Sequence, residues 1–209
     1  MLETGKVYHL YNRGNNRENL FYKKENYHYF IRQFDKYLSN FVDVYAYCLL
    51  PNHFHFLIKI KEEEEILQYL AGLPQYRDSI AQSDGISNPT SKIISEQFRR
   101  FFISYSQAIN KQENRVGSLF QKKFKIKEVN NDSYFSQLVF YIHANPQKHG
   151  LINDFREWNY SSYHSIISDK ISKLKKKEIR NWFGNIEQYK EFHKNQFDFR
   201  NLDTLDLEN

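Results

Sequence analysis

The chain has almost no cysteine and no long apolar run. Its 209 residues contain one cysteine, Cys48, which excludes an internal disulfide and predicts a reducing compartment. Cys48 lies in an apolar segment, where a small buried thiol is expected. No segment approaches the ~20 apolar residues that a membrane-crossing helix needs, and the N-terminus lacks a signal-peptide pattern. We therefore expect a soluble, cytoplasmic protein without membrane contact.

Aromatic rings and positive charge are present in excess. The 18 Phe and 16 Tyr supply most of an aromatic content of 17%, which predicts a ring-rich core. Lys and Arg number 30 against 25 Asp and Glu, so the formal net charge is +5 and the pI is about 9.0. This balance favours an anionic partner without identifying it.

Two histidines stand in an alternating segment at the end of an apolar run. A strand has a side-chain period of two, so alternate residues point to opposite faces. One face would carry His53, His55 and Leu57, and the other Phe54, Phe56 and Ile58. Neutral imidazole is the commonest metal ligand, but ordinary strand histidines fit the pattern equally well. A third ligand has to come from elsewhere in the chain.

The remaining periodicities predict an ordered series of strands and helices. Strands are expected at 6–13, 42–50, 53–60 and 122–127, and helices at 25–38, 90–114 and from an N-cap at Asn131 or Asp132. Short helical pieces are expected at 158–167 and 170–194, and loop composition marks 73–89. Pro146 should end the third long helix, because the residue before proline avoids helical geometry.

Basic residues concentrate between positions 115 and 127. They are Arg115, Lys122, Lys123, Lys125 and Lys127, and the last of them alternate with apolar residues. Such a ridge suits a nucleic-acid backbone, whose phosphates dominate affinity, although a solvated strand face is the alternative. Asn12 and Arg13 precede Gly14 at the end of the first predicted strand. This segment is either a phosphate-contacting loop or a plain turn.

Tyr141 and Asn145 are four residues apart on a predicted helix, so they share one face. Tyr160 and His164 have the same spacing, so the spacing alone does not identify a functional site. If Tyr141 and Asn145 face the two histidines, the site would combine imidazole and carbonyl ligands. That ligand set suits Mg²⁺ or Mn²⁺ better than structural Zn²⁺.

An ordered set of motifs resembles a known family. The segments LPNHFHFLI at 50–58 and YIHANP at 141–146 are supported by YHLYNRG at 8–14, RVGSLFQ at 115–121 and WNYSSY at 158–163. Together they resemble the single-tyrosine HUH transposases, most closely the REP-associated tyrosine transposases. The resemblance extends over about residues 6–166. Many members of the family have Gln where Asn145 stands.

The resemblance implies an α+β fold of the HUH endonuclease type. It is a ferredoxin-like or RRM-like βαββαβ antiparallel sheet with helices packed on one face, and its first and third strands are neighbours. This domain is expected over 1–166, followed by a helical C-terminal extension over 167–209. The acidic tail from Asp198 is expected to be disordered or exchanged with a neighbouring copy.

The resemblance also implies a reaction and its residues. Tyr141 would attack single-stranded or hairpin DNA and form a 5′-phosphotyrosine that a second 3′-OH can resolve. His53, His55 and Asn145 would bind Mg²⁺ or Mn²⁺. Family members are often dimers, which leaves a homodimer open. The alternatives are a domesticated, non-cleaving hairpin-binding protein and a phosphodiesterase that uses water as nucleophile.

Overall fold

The computed structural model describes residues 2–73 and 89–195. The strands are β1 (Val7–Arg13), β2 (Val42–Leu50), β3 (His53–Ile60) and β4 (Lys125–Glu128). The helices are α1 (Lys24–Leu38), α2 (Glu63–Ala71), α3 (Pro89–Gln112), α4 (Asp132–Lys148), α5 (Tyr163–Ile167), α6 (Lys176–Trp182) and α7 (Ile186–Asn195). The predicted loop at 73–89, apart from its end residues, and the acidic tail lie outside the described residues. No helix of the described part is long and apolar enough to span a membrane.

The four strands form one antiparallel sheet in the order β2-β3-β1-β4. The first and third strands are therefore neighbours, as expected. Register places Tyr11 opposite His55, and Arg13 opposite His53. On the other side of β1, Tyr11 is opposite Lys125. The sheet order, together with a succession of elements in which two helices separate β3 from β4, confirms the predicted α+β fold class.

One face of the sheet carries a core of aromatic rings. Phe30 of α1 lies 5.1 Å from Phe54 of β3 and 5.0 Å from Phe101 of α3, measured between ring centroids. Phe34 stacks on Phe56 at 4.5 Å. The alternation in β3 thus directs its phenylalanines toward α1 and α3, and the ring-rich core is as predicted.

The opposite face is also covered by helices. Leu57 of β3 belongs to a second buried cluster with Leu138 of α4, Ile179 of α6 and Tyr189 of α7. Helices therefore pack on both faces of the sheet, α1 and α3 on one and α4 with the C-terminal helices on the other. Every residue of β3 except Lys59 is buried, so both sets of alternating side chains require a cover. The apolar stretch of α4 supplies the second cover.

Pro146 does not end α4, and that prediction is wrong. The helix continues to Lys148, although proline lacks a backbone donor and disfavours the interior of a helix. The backbone N–H of His149 still donates to the carbonyl of Asn145 at 2.9 Å and holds the last turn. At the other end, the side chain of Asn131 accepts from Tyr134 N at 2.8 Å, which confirms the N-cap. Asn145 is consequently a helix-interior residue.

A buried polar network connects the C-terminal helices to α4. His143 lies 3.0 Å from His193 of α7 and 2.8 Å from the Ser162 hydroxyl, measured between hydrogen-bonding atoms. The Ser162 hydroxyl also accepts from Tyr47 N of β2 at 2.8 Å. His143 thus packs in the interior, away from the histidine pair. The domain boundary at residue 166 stays a prediction.

Candidate active site

The histidine pair lies on the sheet face beneath α4. His53 and His55 are only 6% and 1% exposed, and their ring centroids are 5.3 Å apart. Neighbouring β1 directs His9 and Tyr11 to the same face, because residues opposite each other in an antiparallel pair share a face. Tyr11 stacks on His9 at 4.6 Å.

His55 is held by a second histidine. Its Nδ1 lies 2.9 Å from Nε2 of His9, and its own Nε2 is buried without a hydrogen-bond partner. Burial lowers the pKa of His55 well below 6.5, and the nearby His9 and His53 lower it further. A neutral ring whose Nδ1 is bonded and whose Nε2 is open has the form that ligates metal ions.

Two residues of α4 and its C-cap residue, His149, are spaced at intervals of four. Tyr141, Asn145 and His149 therefore lie on one helix face. The Tyr141 ring meets the His55 ring edge-on at 5.6 Å, and the His149 ring lies 4.8 Å from the His53 ring. Asn145 lies between Tyr141 and His149 along this helix face. Tyr141 and Asn145 are both 0% exposed.

The amide of Asn145 has one bonded and one open end. Its Nδ2 donates to the Tyr141 carbonyl at 2.9 Å, whereas its Oδ1 is buried without a hydrogen-bond partner. Within residues 2–73 and 89–195, no group of three or more His, Cys, Asp or Glu could hold a metal ion. The third ligand that the resemblance implies is the Asn145 amide oxygen. Nε2 of His55 and Oδ1 of Asn145 are buried polar atoms without hydrogen-bond partners, so His53, His55 and Asn145 fit the divalent cation that the resemblance implies.

A small pocket opens beside the histidines. It has a volume of about 180 Å³ and is lined by Tyr11, Asn12, Arg13, His53, His55, Gln121 and Lys125. The Lys125 ammonium lies 5.8 Å from the centroid of the Tyr11 ring. The structure therefore brings three predicted DNA-binding residues, Asn12, Arg13 and Lys125, to the histidine pair.

Comparisons with known proteins agree with the fold of the chain. No family model matches the chain. A solved structure of a REP-associated tyrosine transposase bound to a REP hairpin has the same fold, with a TM-score of 0.55, 17% identity and coverage of 81% of this chain and 83% of that one. A Haemophilus influenzae protein provisionally named a REP-associated tyrosine transposase is 25% identical over 126 residues.

The resemblance to the REP-associated tyrosine transposases is confirmed. The match covers 60% of this chain and 61% of the length of the Haemophilus influenzae protein. The structural match shows the fold, and it includes most of both chains.

The basic residues concentrated between positions 115 and 127 differ in their surroundings. Lys127 joins Lys125 on the face of the histidines, with its ammonium 5.4 Å from the Tyr134 ring. Arg115 is ion-paired with Glu18, and its side chain is 16% exposed. Lys122 and Lys123 are exposed in the segment before β4. The segment from Arg115 to Lys127 therefore contributes to the candidate site mainly through its C-terminal end.

The sequence did not identify three residues that lie near the site. His9 and Tyr11 alternate with Arg13 on one face of β1, so the sequence already assigns these three residues to the same face. Only the pairing of β1 with β3 shows that this face carries the histidine pair. His149 follows Asn145 by four residues and contacts the His53 ring. Its position depends on α4 continuing beyond Pro146.

Proposed function

We propose that the chain is a single-stranded DNA transposase or endonuclease that cuts and rejoins hairpin-associated DNA through Tyr141. The observation that carries the proposal is the contact of Tyr141 with the buried His55, on the helix face that Tyr141 shares with the buried Asn145. Spacing along the chain alone does not require α4 to lie over β3. Similarity to the Haemophilus influenzae protein and to the hairpin-bound structure supports the same reaction class.

Different residues of the site would bind the DNA and support the chemical step. Arg13 and Lys125 line the pocket and would bind the phosphates on either side of the reacting bond. His53, His55 and Asn145 would hold Mg²⁺ or Mn²⁺. A bound cation would stabilise the negative charge that develops on a non-bridging phosphate oxygen.

The covalent step is a transesterification at phosphorus. The Tyr141 hydroxyl oxygen attacks, a phosphorus–oxygen bond to tyrosine forms, and the bond to the 3′ oxygen breaks. The phenol loses its proton, and the departing 3′ oxygen takes one up. The product is a 5′-phosphotyrosine, and attack by another 3′-OH reverses the exchange without ATP because the number of phosphate ester bonds is unchanged.

The burial of Tyr141 supports a second candidate, a hairpin-binding protein that does not cleave. Its side chain is 0% exposed, and the Lys148 ammonium lies 5.1 Å from its ring centroid. Cleavage therefore requires that α4 moves enough to admit a phosphate to the Tyr141 hydroxyl. A protein that never makes this movement would bind hairpins and leave them intact.

The deciding experiment is incubation with a pool of labelled hairpin DNAs and Mn²⁺, followed by denaturing electrophoresis and peptide mapping. We expect label to remain on the protein and to map to Tyr141. Tyr141→Phe should bind the same hairpins without forming the adduct, whereas Tyr69→Phe, a control at an exposed tyrosine on α2, should form it normally.

Two other outcomes would reject the proposal. Cleavage without attached protein would identify a phosphodiesterase that uses water. Tight hairpin binding with no cleavage, in a pool broad enough to select a binding site, would identify the non-cleaving protein.

A further inference from the structure

A cavity of about 410 Å³ lies between the start of α4 and helix α6. On the sheet side it is lined by Val7 of β1 and Tyr45 of β2. Strand β1 begins at Val7 and ends at Arg13, which lines the histidine pocket, so the two cavities are about 20 Å apart along the strand. This α4–α6 cavity is therefore separate from the candidate active site.

Three aromatic rings from three elements form one wall of the α4–α6 cavity. The Tyr45 ring meets the Phe135 ring edge-on at 5.6 Å, and the Phe135 ring lies 4.5 Å from the Trp182 ring, measured between centroids. Tyr45 and Phe135 are buried, whereas Trp182 is 43% exposed. The Trp182 Nε1–H donates to the Ser136 hydroxyl at 2.9 Å. Because that bond uses the polar atom of the indole, the ring offers a ligand its π system and its apolar surface.

The charged residues that line the α4–α6 cavity are acidic. They are Asp132 in the first turn of α4 and Glu178 of α6, and the described lining includes no Lys or Arg. One oxygen of Glu178 accepts from the Tyr45 hydroxyl at 2.9 Å, which holds the carboxylate beside the rings. Its other oxygen lies 3.3 Å from Lys175, whose ammonium is also paired with Asp43 at 3.0 Å. One ammonium is thus shared between two carboxylates, and negative charge remains at the cavity.

The N-terminus of α4 does not turn the cavity into an anion site. The side chain of Asn131 already accepts from Tyr134 N at 2.8 Å, and Asp132 places a carboxylate at the positive end of the helix dipole. A phosphate group in the cavity would face two carboxylates. The lining therefore disfavours DNA and favours a cation that also has an apolar part.

We propose that the α4–α6 cavity binds an alkylammonium group. The carbon chain lies against the three rings, the ammonium donates to Glu178 and Asp132, and the exposed Trp182 ring adds a cation–π contact. The volume is within the range of small-ligand sites. A free diamine and a lysine side chain of a partner protein carry the same group. The assignment does not depend on the DNA reaction.

The test is isothermal titration calorimetry of the full chain with diaminopentane, at low salt and neutral pH. Pentanol has a similar carbon chain without charge, and glutarate has a similar chain with two negative charges, so both serve as ligand controls. A capped Gly-Lys-Gly peptide represents the lysine side chain of a partner protein.

Two pairs of variants test the lining. Glu178→Gln removes the charge and keeps an acceptor for the Tyr45 hydroxyl, and Glu187→Gln removes the same charge at an exposed position of α7. Trp182→Leu removes the exposed ring, and Trp182→Phe keeps a ring. Circular dichroism of each variant separates loss of the site from loss of the fold.

We expect diaminopentane to bind the wild type and Glu187→Gln equally, and at least tenfold more tightly than pentanol or glutarate. Glu178→Gln and Trp182→Leu should each weaken its binding by roughly three- to tenfold, the effect of losing one ion pair or one cation–π contact near the surface. Trp182→Phe should retain most of the affinity. Tighter binding of diaminopentane than of the peptide would identify a free amine as the ligand, and the reverse order would identify a lysine of a partner protein.

Three results would overturn the assignment. The first is no binding of either diaminopentane or the peptide. The second is an equal affinity for pentanol or glutarate. The third is equal binding by Glu178→Gln and Glu187→Gln, a comparison that still decides if Trp182→Leu does not fold.

Discussion

The substitution Asn145→Ala tests whether Asn145 is a metal ligand or only a structural amide. Without metal, the substitution loses the bond from Nδ2 to the Tyr141 carbonyl, which contributes about 0.5–1.5 kcal/mol. It also removes the buried Oδ1 that has no hydrogen-bond partner, a group that costs about 1–3 kcal/mol. These effects oppose each other, so the free energy of unfolding in EDTA should change by only about 1 kcal/mol.

With metal present, the wild type and the variant should differ strongly. A cation at a concentration about 100 times its Kd stabilises the folded state by about 2.7 kcal/mol. For a chain of this length, each kcal/mol corresponds to roughly 2–4 °C in Tm, so Mn²⁺ should raise the wild-type Tm by about 5–11 °C. Asn145→Ala should lose most of that increase, because one of three ligands is gone.

The assay is thermal unfolding followed by circular dichroism, first in EDTA and then across a Mn²⁺ titration. Asn145→Asp keeps an oxygen at the same position and adds negative charge, so it should retain the Mn²⁺ effect or enlarge it. His28→Ala removes an exposed histidine of α1 and controls for weak surface binding of the metal. It should behave as the wild type.

Two results would refute the reasoning. If Mn²⁺ stabilises Asn145→Ala as much as the wild type, the amide oxygen is not a ligand. If Mn²⁺ stabilises the wild type no more than His53→Ala, the histidine pair does not bind the cation.

Two further predictions concern charge and pH. Lys125→Glu and Lys127→Glu should each weaken hairpin binding and reduce the slope of log affinity against log salt concentration by about one counterion. Lys177→Glu on α6 should change neither the affinity nor this slope. Equal slopes for all three variants would contradict the placement of the DNA. Burial lowers the pKa of His193 to about 4, so the unfolded chain binds the extra proton and stability falls as pH drops from about 6.5 toward 4. His193→Phe should remove up to about 1.4 kcal/mol per pH unit from the slope of unfolding free energy in that window, and an unchanged slope in urea titrations would exclude this.

Local sequence patterns accounted for the elements of the fold. Alternation from His53 onward predicted β3 and assigned its histidines and phenylalanines to opposite faces, and both assignments hold. Helical spacing placed Tyr141 and Asn145 on one face of α4. These properties depend on residues a few positions apart, which is why periodicity detects them.

Long-range packing decided which of these faces meet. Only the pairing of β1 with β3 brings His9 to His55, and only the packing of α4 on the sheet brings Tyr141 to the same ring. The continuation of α4 through Pro146 places His149 beside His53, against the local preference of the residue before proline.

The sequence by itself thus determined the strands, the helices and the chemistry available on each face. Tertiary structure decided which side chains share a site, which basic residue is neutralised and where a cavity opens. Arg115 shows the reason: its ion pair with Glu18 joins residues 97 positions apart, and no local pattern contains such a contact. Contacts at that separation arise only when register and helix packing are complete.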